Sequence, residues 1–345
     1  MMRWLRWALL IVLVVAAATG TGAWVQYNRV FEPYRGYSRA FQFVEIPSGV
    51  GPTVIGERLV DAGVVRDGWT FRAAVWLSGR ARELKAGEYR FDAAMTAAAV
   101  VDTLVRGEVY KRLITFPEGL TIADMARVYQ EHGFGTARDF VQSASNADLI
   151  RDLDPDAFDL EGYLFPETYA LPRRTPASVL IEQMVSAFTR AFDAELRADA
   201  AAAGLSLRQA VTLASLVEKE TARAEERPLV AAVYANRLTR GMGLQADPTV
   251  IYALQRAGRY DGNLTRADLR FNSPYNTYRF PGLPPGPIAA PGLAALRAAV
   301  HPADVGHLYF VSRNDGTHAF ADTLGEHNRN VQTWQIEYFR AKRGQ

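Results

Sequence analysis

The chain has 345 residues, long enough for two or three domains with cores of their own. Lys plus Arg at 39 against Asp plus Glu at 37 leaves a net charge of +2, which excludes a charge-driven binder of nucleic acid. The absence of cysteine excludes disulfides, thiolate metal sites, lipid attachment through sulfur and cysteine nucleophiles. The first predicted element is a transmembrane helix. Arg3 and Arg6 precede Trp7–Asn28, an uncharged run long enough to cross a bilayer, with Trp4 and Trp7 at one end and Trp24 and Tyr27 at the other. The run continues past the small residues Ala16–Ala18, where a signal peptide would be cleaved, and this favours an uncleaved anchor. Basic residues before the span place the N-terminus in the cytoplasm and the bulk of the chain in the periplasm, with residues 1–28 as cytoplasmic end and anchor.

A linker over 29–40 leads into two similar stretches, IPSGVGPTVIGERLVDAGVV (46–65) and ITFPEGLTIADMARVYQEHGFG (114–135). Each reads as a strand, a glycine turn and a short amphipathic helix that stops at Gly63 or Gly133. Between them LKAGEYRF (84–91) reads as a strand and MTAAAVVDTLVRGE (95–108) as a helix ended by Gly107. Residues 41–110 are expected to form a small α+β subdomain of LysM type, and 111–160 a connecting α+β segment. The alternative is a plain spacer.

The remainder, 161–345, is expected to be helix-rich and catalytic. Thr175-Pro176 starts a helix able to run to Gly204. Ser206 and Gln209 form a capping box for the next, and Asp247-Pro248 reads as cap and first position of a later one. The Pro-, Gly- and Tyr-rich stretch 272–292 is too long for a passive loop. Residues 307–322 read as a β-hairpin turned at Asn314-Asp315-Gly316, and Thr323 with Glu326 caps the last helix. The fold class is therefore α+β, with an N-terminal transmembrane helix.

Carboxylates are the best candidates for chemistry. Glu218 and Glu220 lie one residue apart at a helix end and point about 200° away from each other. Glu218 continues the stripe of Val211, Ala214 and Ser215. An apolar wall there raises its pKa, as a general acid requires, leaving Glu220 for solvent or a salt partner. LEGYLFPETYAL (160–171) sets Glu161 and Glu167 among Tyr163 and other aromatics, a composition that suits either a sugar cleft or an ordinary core segment. Tyr275, Asn276 and Tyr278 of the 272–292 stretch are candidates to line the same groove. The histidines lack metal-ligand spacing, and nucleotide-binding and nucleophile-elbow motifs are missing, so no metal or cofactor is expected.

In this order, LEGYLFPETY, LASLVEKET, ANRL with GMGLQADPTVIYAL, SPYNTYRFPGLPPGPIAAPG and YFVSRNDGTHAF resemble the endolytic murein transglycosylases of the YceG-like family. The resemblance covers nearly the whole chain. It implies cleavage of the β-1,4 bond between N-acetylmuramic acid and N-acetylglucosamine in nascent peptidoglycan strands, leaving 1,6-anhydromuramic acid ends. It also implies an inner-membrane location, glycan strands as substrate and synthases of the elongation machinery as partners, with the first Glu of VEKET, Glu218, as catalytic residue. A glycan-binding scaffold that cuts nothing, and a hydrolase using Glu161 or Glu167 as second carboxylate, are the alternatives.

Overall fold

The structure, a computed structural model, describes residues 2–173 and 175–343. Met1, Arg174, Gly344 and Gln345 lie outside the described residues, and so do the side chains of Arg3 and Arg6, on which the expected orientation rests. The chain divides into two compact units, Met1–Arg112 with Ala170–Arg173, and Leu113–Tyr169 with Arg174–Gln345.

The first unit begins with α1 (Met2–Phe31), whose Leu9–Phe31 portion is long and apolar enough to cross a membrane. Leu9 to Val15 are exposed, but Val30 is fully buried in the unit's core. There follow β1 (Gln42–Ile46), α2 (Pro52–Asp61), α3 (Gly68–Ser78), β2 (Gly87–Phe91) and α4 (Ala97–Arg106). The two strands pair antiparallel, Gln42 opposite Phe91 and Ile46 opposite Gly87. Val44 and Ile46 on one strand and Tyr89 and Phe91 on the other join Leu59, Phe71, Val100 and Leu104 in one apolar cluster. Each fully buried Leu or Phe contributes about 1.5–3 kcal/mol by leaving water. Helix α3 has no counterpart among the sequence expectations, because its aromatic and β-branched residues dilute helix propensity. Asp67 nevertheless caps it, accepting from Thr70 N at 2.8 Å, and Gly79 ends it at φ +68°.

The second unit opens at the end of β3 (Lys111–Thr115) and continues through α5 (Ile122–Glu131), α6 (Ala137–Ala144) and β4 (Thr168–Pro172). Thr115 and Thr168 share a hydroxyl hydrogen bond of 2.8 Å. The helix expected to reach Gly204 is broken into α7 (Ala177–Ala191) and α8 (Ala194–Ala202). The break falls where Asp193 turns extended and accepts from Leu196 N, because a short acidic side chain competes for a free helix N–H better than it continues a helix. At the centre lies α9 (Leu207–Glu220), entered through the Ser206–Gln209 capping box. Its residues from Ala210 to Val217 are all buried, so it packs on every side, against α8, α10 (Arg227–Thr239), α11 (Asp247–Arg256) and α12 (Leu293–Val300). The hairpin of β5 (Tyr309–Ser312) and β6 (His318–Ala321) turns through Asn314–Gly316, and α13 (Leu324–Val331) starts at the Thr323–Glu326 capping box. A π-helical stretch, Gln332–Glu337, joins it to α14 (Tyr338–Arg343).

Candidate active site

The two carboxylates at the end of α9 occupy quite different surroundings, and neither set is the expected one. Glu218 does not meet an apolar wall. Its side chain is 5 % exposed, Oε1 accepts from Arg227 at 3.1 Å and Oε2 from Gly292 N at 3.0 Å. Arg227 reaches Glu118 as well, at 3.4 Å. Gly292 leaves room for the Glu118 carboxylate, since a Cβ there would stand 1.7 Å from a Glu118 oxygen and push that side chain aside. Burial, with the Glu218 charge second, pushes the Glu118 carboxyl up, while Arg227 opposes the shift. The neighbouring strands of chain are stitched around this cluster: Gly119 N donates to Ala290 O, Ala290 N to Leu120 O, and Lys219 Nζ to Gly119 O. Both oxygens of Glu218 are thus engaged by the fold.

Glu220 was expected to face solvent or a salt partner; it is half-buried and takes a tyrosine as partner instead. The last residue of α9 turns its carboxylate inward, where Tyr234, one helix away on α10, donates its hydroxyl hydrogen to Oε1 at 2.5 Å. Burial pushes its pKa up to about 7; the Tyr234 hydrogen bond works against that shift, Asp247 adds to it, and His318 and Arg237 oppose it. The reason sequence spacing missed this is local. Thr221 leaves the helix in extended conformation and the chain folds back into α10, so buried Tyr234 packs against the helix end and leaves Glu220 half-buried.

The remaining groups of this cluster are held by bonds that explain the sequence motifs. Asp247 is not the cap of α11; Ala246 holds that position, and Asp247, now the first helical residue, accepts from Tyr278 Oη at 2.6 Å. Thr277 takes Ala246 N on its hydroxyl at 3.0 Å and shares a hydrogen bond with Thr249, while its carbonyl accepts from Gln245 N. Gln245 sits at φ +50°, strained for a residue with a side chain, and such strain collects at functional sites. Arg237 bonds Leu244 O and Leu308 O, both at 2.7 Å, and Asn236 bonds Val305 O and His307 O. Glu226, in the turn between α9 and α10, accepts from His318 N and His318 Nδ1. Burial alone raises the Glu226 carboxyl, but the His318 bonds outweigh it and hold it below the usual range.

The predicted groove residues separate. Tyr278 reaches the Glu220 cluster through Asp247. Asn276 is fully buried and donates to Leu269 O and Phe271 O, so it builds the loop and lines nothing. Tyr163 is core: its hydroxyl donates to Asp154 at 2.5 Å, and Asp154 also holds Arg208. Glu167 is exposed, and its carbonyl accepts from Phe116 N. Glu161 is buried at the start of α5, accepting from Ile122 N at 3.1 Å and Tyr252 Oη at 3.2 Å. Burial, with Asp159 second, pushes it up to about 8. It borders a cavity of about 1100 Å³ with Arg127, Arg138, Tyr252 and Arg256, and Tyr275 packs its ring on Tyr252. Tyr234 and Arg237 are neighbours of Glu220 that the sequence did not single out, and Asp247 was read as a cap. Tyr234 stands among the buried residues of α10, and the Asp-Pro pair imitates a cap.

The YceG-like family matches residues 44–333 of the chain. An endolytic murein transglycosylase of Bacillus subtilis (strain 168) is 31% identical over 329 residues, covering 89% of this chain and 89% of the relative. One of Streptococcus pneumoniae serotype 2 is 30% identical over 92% of this chain, which spans 63% of that longer relative. The crystal structure of a yceG-like protein of Listeria monocytogenes superposes with a TM-score of 0.58 at 31% identity, over 85% of this chain and 99% of that one.

Proposed function

Because the chain belongs to the YceG-like family, we propose that it is an endolytic murein transglycosylase whose proton donor is the Glu220 carboxyl. The observation that carries the assignment to Glu220 is the 2.5 Å hydrogen bond from Tyr234 to its half-buried carboxyl, whose pKa desolvation raises to about 7. A carboxyl titrating there is protonated often enough to be an acid and ionised often enough to be a base. Glu218, the residue the sequence favours, has both oxygens occupied by Arg227 and Gly292, and we assign it to holding the end of α9 against Glu118 and Ala290.

The bond cut is the β-1,4 link between N-acetylmuramic acid and N-acetylglucosamine. Glu220 gives its proton to the bridging oxygen as the bond from the muramic acid C1 breaks, and the glucosamine leaves with a free hydroxyl. The resulting carboxylate takes the proton of the C6 hydroxyl while O6 bonds to C1, closing the 1,6-anhydro ring. Glu220 ends protonated as it began. A hydrolase needs a second carboxylate to activate water or attack C1. Here the internal hydroxyl replaces the water, so one group serves both steps. Beside Glu220, the Asp247 charge held by Tyr278 favours the protonated acid, and Arg237 favours the carboxylate left after proton transfer.

The uncharged Trp7–Asn28 run supports an anchor in the inner membrane, with the second unit periplasmic and acting on nascent strands beside elongation synthases, where cutting sets strand length. The strand–helix–helix–strand order of the first unit, with antiparallel strands, supports the LysM-like reading of residues 41–110. Mass spectrometry of glycan strands digested by the purified protein tests the reaction. Anhydromuramyl ends are expected; reducing ends would make it a hydrolase, and no new ends a scaffold.

A further inference from the structure

We propose that the outer face of α3, presenting Trp69, Trp76 and Leu77, lies in the headgroup layer of the same bilayer that α1 crosses, so that the first unit rests on the membrane surface. This rests on the reading of α1 as an anchor.

Position along α1 carries the inference. Val30 is fully buried in the unit's core, and four residues earlier, about 6 Å along the helix, Gln26 Nε2 donates to Thr70 Oγ1 on α3. Trp24 and Tyr27, the aromatic belt of the span, stand at this level and are exposed. From core to lipid, α1 therefore passes Val30 and then reaches α3 at Gln26, with Tyr27 and Trp24 of the belt on either side of that contact. Helix α3 is the layer between the unit's core and the bilayer. Its inner face is Thr70, Phe71, Ala74 and Val75, all buried. Opposite these, Trp69 and Trp76 are 74 % and 79 % exposed. Seven residues apart, they share one side of the helix at about 10 Å spacing. Two such rings left to water mark a surface with a partner.

Charge and stacking select the partner. The only charged side chain on α3 is Arg72; of the flanking arginines Arg66 pairs with Glu32 and Arg80 with Asp102, Arg82 lies beside Glu83, and Asp67 is spent on the cap. An apolar aromatic face rimmed by arginine suits an anionic lipid surface. A sugar ring would instead need a free tryptophan face, and the Arg72 guanidinium already covers that of Trp69, 4.2 Å from its centroid.

The test uses full-length protein in phospholipid vesicles containing anionic lipid, with variants that keep a single tryptophan, the other five being Phe. Lipids brominated near the headgroup end of the acyl chain are expected to quench Trp24, Trp69 and Trp76 severalfold more than Trp334 of the second unit. Trp24 quenched with Trp69 and Trp76 no different from Trp334 overturns the inference and leaves the anchor standing. Trp24 unquenched overturns the anchor reading itself, and the inference with it. Because the chain has no cysteine, Trp69→Cys and Trp76→Cys carrying a spin label repeat the measurement if the tryptophan variants fold poorly. Labels more accessible to oxygen than to a water-soluble nickel complex are expected. A change on adding soluble glycan strands, with none on adding vesicles, would assign the face to sugar.

Discussion

Tyr234 gives its hydroxyl hydrogen to Glu220 at 2.5 Å, from the neighbouring helix, and this one bond lowers a pKa that burial raises. The pH profile follows. With Glu220 required as acid, kcat/KM falls as pH rises through about 7. Tyr234→Phe removes a bond that favours the charged form, so the pKa climbs further and the falling limb moves to higher pH, by about one unit for a hydrogen bond to a charged group. A profile of the variant superimposable on that of the wild type would detach Tyr234 from Glu220.

Asp247 acts with the opposite sign. Its negative charge adds to the upward shift of Glu220, so Asp247→Asn lowers that pKa and the limb moves to lower pH, by up to about one unit. Tyr278→Phe leaves the Asp247 charge in place but loses the bond that orients it. It is expected to reduce kcat with a smaller displacement of the limb. Measured on one substrate, the three profiles order Tyr234→Phe, wild type and Asp247→Asn from high pH to low.

Glu220→Gln keeps volume and helix propensity but neither gives nor takes a proton. A loss of about 10²–10⁴-fold in kcat is expected, toward the upper end because one group serves both proton transfers. Glu218→Gln leaves Arg227, whose side chain is 10 % exposed, with Glu118 as its one charged partner, and is expected to cost stability, on the order of 1–3 kcal/mol, with turnover on the folded protein little changed. The reverse pattern, with Glu218→Gln folded but inert and Glu220→Gln active, returns the acid to Glu218.

How far the sequence could be read depended on whether the deciding interaction was local. The capping boxes at Ser206 and Thr323 and the glycine stops at Gly63, Gly107 and Gly133 lie within a few residues, and the structure contains all of them. The YceG-like motifs were legible for the same reason, as was the α+β class. The surroundings of Glu218 and Glu220 were not, because helical geometry gives the angle between them but not what covers each. Arg227 arrives from the next helix and Gly292 from 74 residues further on. Asp247 looked like a cap since Asp-Pro has that local preference; its real partner, Tyr278, is 31 residues away. Tyr163 and Asn276 carried the composition of a sugar cleft, yet each spends its polar atoms on the fold.

Asp154 gives the last prediction, on stability. It is buried and accepts from Tyr163 at 2.5 Å and bidentately from Arg208, at 2.6 and 2.9 Å. Burial raises its pKa, but the bonds from Arg208 and Tyr163 outweigh that and hold the carboxyl below its usual range. A carboxyl depressed in the folded state stabilises it above the unfolded pKa, and this is lost as pH falls through the folded one. Asp154→Asn keeps an acceptor for Tyr163 but leaves the Arg208 charge, 20 % exposed, without its partner. Breaking a buried pair costs about 3–5 kcal/mol, and the water reaching Arg208 puts this one near the lower end. Urea unfolding near neutral pH is expected to show that loss with an unchanged m-value. Below the usual carboxylate range the gap between variant and wild type narrows, because the wild type protonates Asp154 and loses the same pairing. A gap independent of pH would place the cost in packing around Tyr163, not in the charge.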